Sequence, residues 1–189
     1  MKNGLLILAI AASCAVAGSA NAMTKAEYAA AKDRISADYK VGKDKCSALK
    51  ANAKDICMAE AKGAEKIAKA EAEAAYKPSA GHTQDVANAK ADSAYDIAKE
   101  KCDDLSGNAK DVCVKDAKAA QVKMKEDAKV AKVSDKGNAS SSKMADVKKE
   151  ANEEKREASY KAAKERCDDL AGSAKDTCQN DAKAKFGMK

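Results

Sequence analysis

CDDLSGNAKDVC, residues 102–113, has two relatives in the same chain: CSALKANAKDIC at 46–57 and CDDLAGSAKDTC at 167–178. Each copy sets two cysteines eleven residues apart. Seven residues before the first cysteine stands a tyrosine (Tyr39, Tyr95, Tyr160), and three residues after it a leucine (Leu49, Leu105, Leu170). An Ala-Lys-Asp triplet follows in every copy, and an Ala-Lys pair lies four residues past the second cysteine. The copies start 56 and then 65 residues apart, and agreement at this many positions marks an internal repeat.

Each copy reads as a helix stop followed at once by a helix start. Gly107 and Gly172 stand where a helix ends in a left-handed residue. Asn108 and Ser173 follow as expected N-caps, with Asp111 and Asp176 three residues on, as in a capping box. The first copy keeps Asn52 as the expected cap and Asp55 after it, but has Ala51 in place of glycine. Before the turn, Ile35, Tyr39, Gly42, Cys46 and Leu49 step by four, three, four and three, as do Ala91, Tyr95, Ala98, Cys102 and Leu105. After it, Cys113, Ala117, Ala120 and Met124 continue a seam. Both cysteines of a pair then lie on the facing stripe of a helical hairpin.

Two geometries compete. In one unbroken helix the cysteines stand about 16 Å apart along the axis and pair only between molecules. In a hairpin with axes near 10 Å, the facing Cα atoms are about 5.4 Å apart, which a disulfide spans. The Gly-Asn and Gly-Ser steps favour the hairpin, with bonds Cys46–Cys57, Cys102–Cys113 and Cys167–Cys178. A closed loop of this size contributes roughly 3 kcal/mol by the chain-entropy model.

The expected organisation is all-α. A signal peptide occupies 1–22: Lys2 supplies the charge, residues 4–16 form an apolar run, and Ala20-Asn21-Ala22 gives a cleavage site after Ala22. The run is short of the ~20 residues that span a membrane, so no stable membrane span is expected. Cys14 lacks the large aliphatic residue usual three places before an acylated cysteine, so lipoprotein anchoring is not expected either. Hairpin repeat 1 covers 23–77, opened by a capping box at Thr24 and Glu27, and Pro78 marks a linker at 78–83. Repeat 2 covers 84–132, a Ser/Gly/Asn-rich linker 133–142, and repeat 3 143–189. The predicted helices run from about 25 to 50, 53 to 76, 84 to 106, 109 to 132, 143 to 171 and 174 to 186. They either pack up-and-down or form three loosely linked hairpins.

Composition explains why both packings stay open. Residues 23–189 hold three Leu, four Ile, eight Val and one Phe, about one residue in ten, which favours disorder over a large core. Abundant alanine and long charged residues favour helix. No alternating β-branched run of strand length occurs, so no sheet is expected. Net charge falls from +6 to +5 without Lys2, and the charges alternate in sign. With few aromatics as well, nucleic acid is not an expected partner.

The chemistry-bearing residues point away from catalysis. Thiolate metal sites need closely spaced pairs plus further ligands, whereas each cysteine pair here stands alone. The only histidine, His82, falls in a predicted linker. Cys46, Cys102 and Cys167 sit near helix C-terminal ends, which disfavours a reactive thiolate. Six cysteines remain after cleavage, an even number in an exported chain, and that favours disulfides. No cofactor, metal site or catalytic set is expected, and the chain is not read as an enzyme. Asp103-Asp104 and Asp168-Asp169 are the odd feature, because acids near a helix C-terminus oppose its dipole. They are expected to pair with lysines, Lys99 with Asp103 and Lys101 with Asp104. The less favoured reading is a divalent-cation site at the hairpin tip.

The pattern C-D-x-L-x-G-N-A-K-D-x-C, preceded by Tyr and Ala-Lys, resembles an uncharacterised family of small exported Ala/Lys-rich proteobacterial proteins. They carry this signature two or three times and are sometimes labelled TolA-like. Copies two and three match it well, and copy one departs at Ser47, Ala48 and Ala51. The resemblance implies an envelope setting and no catalytic residues. The expected function is a non-enzymatic periplasmic or cell-envelope protein with a structural or protein-interaction role. Its alternatives are a chaperone-like or lipid-binding helical protein and cation binding through the Asp pairs. The expected partner is an unidentified envelope protein or surface, and the oligomeric state is open.

Overall fold

The computed structural model describes residues 22–189 except Asn138. The expected signal segment, with Cys14, lies outside the described residues apart from Ala22. Among those residues the chain forms six helices and no strand: α1 Lys25–Cys46, α2 Ala51–Tyr76, α3 Ala80–Cys102, α4 Gly107–Asp135, α5 Ser141–Glu165 and α6 Gly172–Phe186. Thr24 caps α1 with a full capping box: its Oγ1 accepts from Glu27 N, and the Glu27 side chain accepts from Thr24 N at 2.8 Å. The linkers are shorter than expected because their serines are caps. Ser79 accepts from His82 N and starts α3 at Ala80, so His82 lies in the first turn of a helix. Ser140 accepts from Lys143 N and starts α5 at Ser141, while α4 runs on through Val133 to Asp135.

Every helix packs only against the helices before and after it in the chain. The short connections make neighbours antiparallel. The product is an open single layer, up-and-down but with no closure into a bundle. The hairpins are not loosely linked: α2 lies against α3, and α4 against α5, about as extensively as α3 against α4 and more so than α1 against α2 or α5 against α6. The three stapled turns therefore line one edge of the layer.

Small side chains set the packing. The buried apolar residues are Ala72, Ala89, Ala91, Ala128, Ala151, Ala162 and Ala182, with Cys46, Cys102 and Cys167. Those three cysteines are the largest fully buried side chains. At the α2–α3 crossing the backbones come so close that a Cβ on Gly63 would stand 2.9 Å from Cβ of Ser93. The Ser93 hydroxyl, itself buried, donates to the Gly63 carbonyl at 3.3 Å.

All three disulfides form within hairpins, with Cα separations of 5.5, 5.7 and 5.7 Å. The turns beside them share one conformation. The carbonyl of Cys46, Cys102 or Cys167 accepts from the leucine amide three residues on. One extended residue follows (Lys50, Ser106, Ala171), then a left-handed one: Ala51 at φ 49°, Gly107 at 56°, Gly172 at 57°. The next helix starts there, so Gly107 and Gly172 do not close the helix before them as expected: α3 and α5 have already ended at Cys102 and Glu165, and the glycines open α4 and α6. Asn52, Asn108 and Ser173 are consequently not N-caps. The cap positions fall two residues earlier, at Lys50, Ser106 and Ala171, and none makes a side-chain cap bond. The left-handed residue leads straight into the helix, which leaves Asn52, Asn108 and Ser173 inside its first turn.

A left-handed Ala is strained by roughly 1–2 kcal/mol relative to Gly. A Cβ on Gly107 would meet no neighbour within 4 Å, so its substitution cost is backbone strain alone. Ala51→Gly is expected to raise, and Gly107→Ala to lower, the unfolding free energy of the oxidised protein read from denaturant melts, each by about 1 kcal/mol. Gly63→Val is expected to lower it by roughly 1–3 kcal/mol through overpacking.

Candidate interaction surface

The stapled tips dispose of the acidic pairs. Asp103 binds Lys110 across its own turn at 2.9 Å, and Asp168 binds Lys175 at 2.8 Å. That contact holds the Asp168 carboxyl below its ordinary value. The expected in-helix pairs do not form: Lys101 faces Glu60 instead, and Asp104 accepts from Asn52 Nδ2 at 2.8 Å. The same Asn52 amide donates to the Glu100 carbonyl at 2.7 Å. Asn52 thus ties the start of α2 to the end of α3. Among the described residues no three His, Cys, Asp or Glu side chains are grouped to hold a metal ion.

Leu49, Leu105 and Leu170 are 42 %, 45 % and 42 % exposed. The seam reading placed them inside. The tight turn after each cysteine ends the helix before the leucine, and the side chain swings outward. The repeated tyrosines are half-buried. Tyr39 lines a groove of about 360 Å³ between α1 and α2 with Ile35, Gly42, Ala61 and the Cys46–Cys57 bridge. Lys118 sits over the Tyr95 ring at 5.3 Å.

Polar contacts between hairpins follow the repeat. Lys101 on α3 faces Glu60 on α2 at 3.9 Å. One repeat later, Arg166 Nη2 donates to both oxygens of Asp116 on α4 at 2.6 Å. Lys90 pairs with Glu71 at 2.8 Å, and the equivalent Lys155 with Asp127 at 2.9 Å. Sequence reading by seam alone missed these pairs, yet their signal is visible. A basic residue precedes the first cysteine of every copy (Lys45, Lys101, Arg166), and an acid stands three residues after the second (Glu60, Asp116, Asp181).

The same equivalence identifies two faces that lack a partner among the described residues. In the stripe Val86, Lys90, Ser93, Ile97, Lys101 of α3, the last four meet α2; in the stripe Ala151, Lys155, Ala158, Ala162, Arg166 of α5, Lys155 and Arg166 pair with α4 and Ala151 and Ala162 are buried. Their counterpart on α1 is Ala30, Arg34, Ala37, Val41 and Lys45. All five are exposed, Val41 at 52 %. At the other end of the layer, Asp181 and Ala184 of α6 are the exposed counterparts of Glu60 and Gly63.

Asp92 forms the polar centre of the layer. It accepts from Lys66 on α2 at 2.8 Å, and from Lys125 at 2.5 Å and the buried Gln121 at 2.7 Å on α4. Partial burial works against its ionisation, but the hydrogen bonds from Lys125 and Lys66 outweigh it and hold the carboxyl below its ordinary value. A depressed carboxylate adds stability above its unfolded value near 3.9, and that stability is lost as pH falls through the folded value. Asp92→Asn is expected to cost about 1 kcal/mol at neutral pH. It should also flatten the loss of stability below about pH 4, read from denaturation midpoints across pH.

No protein-family model, curated protein or solved structure matches the chain, so its surfaces are read from its own residues.

Proposed function

We propose that the chain is an exported, non-enzymatic helical repeat protein of the cell envelope that acts by protein contact. The observation that carries this reading is the junction stripe of α1, left exposed although its two counterparts in the chain are packed. Four further features support it. The six cysteines of 23–189 are all paired, as suits an oxidising compartment. The start of the chain has the pattern of a signal peptide. Asp103, Asp168 and Asp92 are engaged by lysines within the fold. The periodic arrangement also suits recognition, since stacked hairpins offer a repeated surface to a partner.

The test has two readouts. Protein recovered from the periplasm should begin at Met23 and weigh six hydrogens less than the reduced chain. A photo-crosslinker at Val41 should give discrete adducts in intact cells, and one at exposed Ala131 should not. A cytoplasmic chain with free thiols, or no Val41 adduct, overturns the reading.

A further inference from the structure

Two junctions inside the chain show what a stripe of this kind packs against. In each, a stripe reading small or β-branched, basic, small, apolar, basic lies against the antiparallel helix of the preceding hairpin. That helix offers an acid opposite the basic residue before the cysteine. Three residues on it offers a residue without bulk, Gly63 on α2 and Ala119 on α4. Gly63 lets the backbones approach to the point where its Cβ would clash with Ser93, and Ile97 lies 3.7 Å from the same site. The recognition rule is therefore an acid and a small residue three apart, on the outer face of the second helix of a hairpin.

That helix occurs three times, and its third occurrence is α6. Asp181 stands at the place of Glu60 and Asp116, and Ala184 at the place of Gly63 and Ala119. Among the described residues neither Asp181 nor Lys45 nor Arg34 makes an ion pair, and all three are exposed. We propose that the α1 stripe binds α6 of a second copy of this chain. Lys45 pairs with Asp181, and Val41 and Ala37 pack over Ala184. The contact continues the layer head-to-tail at the spacing of packed helices, ~8–10 Å between axes. Such a heterologous contact does not close on itself in a dimer and leads to chains of copies. It covers the half of the stripe nearest the stapled edge. α6 ends at Phe186, short of the helical position matching Glu71 and Asp127, so that helix offers Arg34 no acid. Association should therefore be weak and salt-sensitive.

This inference rests on the protein-contact reading above, and the two can fail separately. Sedimentation velocity on the purified oxidised protein at low salt should show mass rising with concentration. K45E and D181K should each weaken association roughly tenfold, as charge reversal across an exposed pair does. Mixing the two variants should restore it, because one contact keeps the native pair and the other carries the swapped pair. V41K should abolish it, and K54E, which changes the same charge on α2 away from the stripe, should leave it unchanged. Helical circular dichroism establishes that each variant folds. A monomer at every concentration, or association indifferent to K45E and D181K, overturns self-association. Val41 adducts to a different protein would then still uphold the broader reading, and the absence of any adduct would sink both.

Discussion

The bond between Cys102 and Cys113 occupies the place that a cluster of large aliphatic side chains fills in an ordinary helical hairpin. Cys46, Cys102 and Cys167 are the bulkiest side chains wholly removed from water, and every other buried apolar residue is alanine. An alanine seam removes little area from water, and apolar burial contributes only about 25 cal/mol per Å². Each staple closes a short loop and limits the unfolded ensemble by roughly 3 kcal/mol. Close approach then becomes affordable: with the tip fixed, the two helices of a hairpin can meet through small residues, and a Cβ on Gly42 of α1 would stand 3.4 Å from Cβ of Ala61 on α2.

The staples cannot explain why the hairpins form one layer. That rests on contacts between repeats, and they are largely polar. Lys101–Glu60, Arg166–Asp116, Lys90–Glu71 and Lys155–Asp127 are mostly exposed pairs, each worth little alone. Their value is in register. A pair near the stapled edge and another eleven residues along the helix fix how far one hairpin slides against the next. The small residues between them then meet without clashing. Asp92 adds a further constraint by binding α2 and α4 at once.

Much of this architecture was legible in the chain. The helical period, the repeated cysteines and Gly107 and Gly172 were enough to place six helices and three bonds. Thr24 with Glu27 marked the first cap. The errors have local causes. Asn52, Asn108 and Ser173 look like caps because the residue types fit, but a left-handed residue already inside the helix displaces the cap to Lys50, Ser106 and Ala171. Leu49, Leu105 and Leu170 fit the seam period only if the helix continues, and it stops at the cysteine. Serines in the linkers read as loop residues but act as caps. Single-layer packing was not legible, because it depends on features such as the backbone approach at Gly63, which hydrophobic pattern does not register.

Repeat proteins ordinarily end in units whose outer face is polar, since a stacking face left open invites further stacking. This chain departs from that rule at α1. A capping helix would replace the basic and apolar positions of the stripe, yet Arg34, Val41 and Lys45 retain the chemistry of Lys90, Ile97 and Lys101. The acid that the rule requires is kept at Asp181 on α6. The two ends of the layer are thus the two halves of a junction that the chain makes twice internally. A packing mode built from small residues and paired charges tolerates this exposure in a way that a leucine seam does not. Among the described residues, Val41 is the one large apolar side chain exposed on these two stripes, and the rest is charged or small, which gives indiscriminate aggregation little to act on.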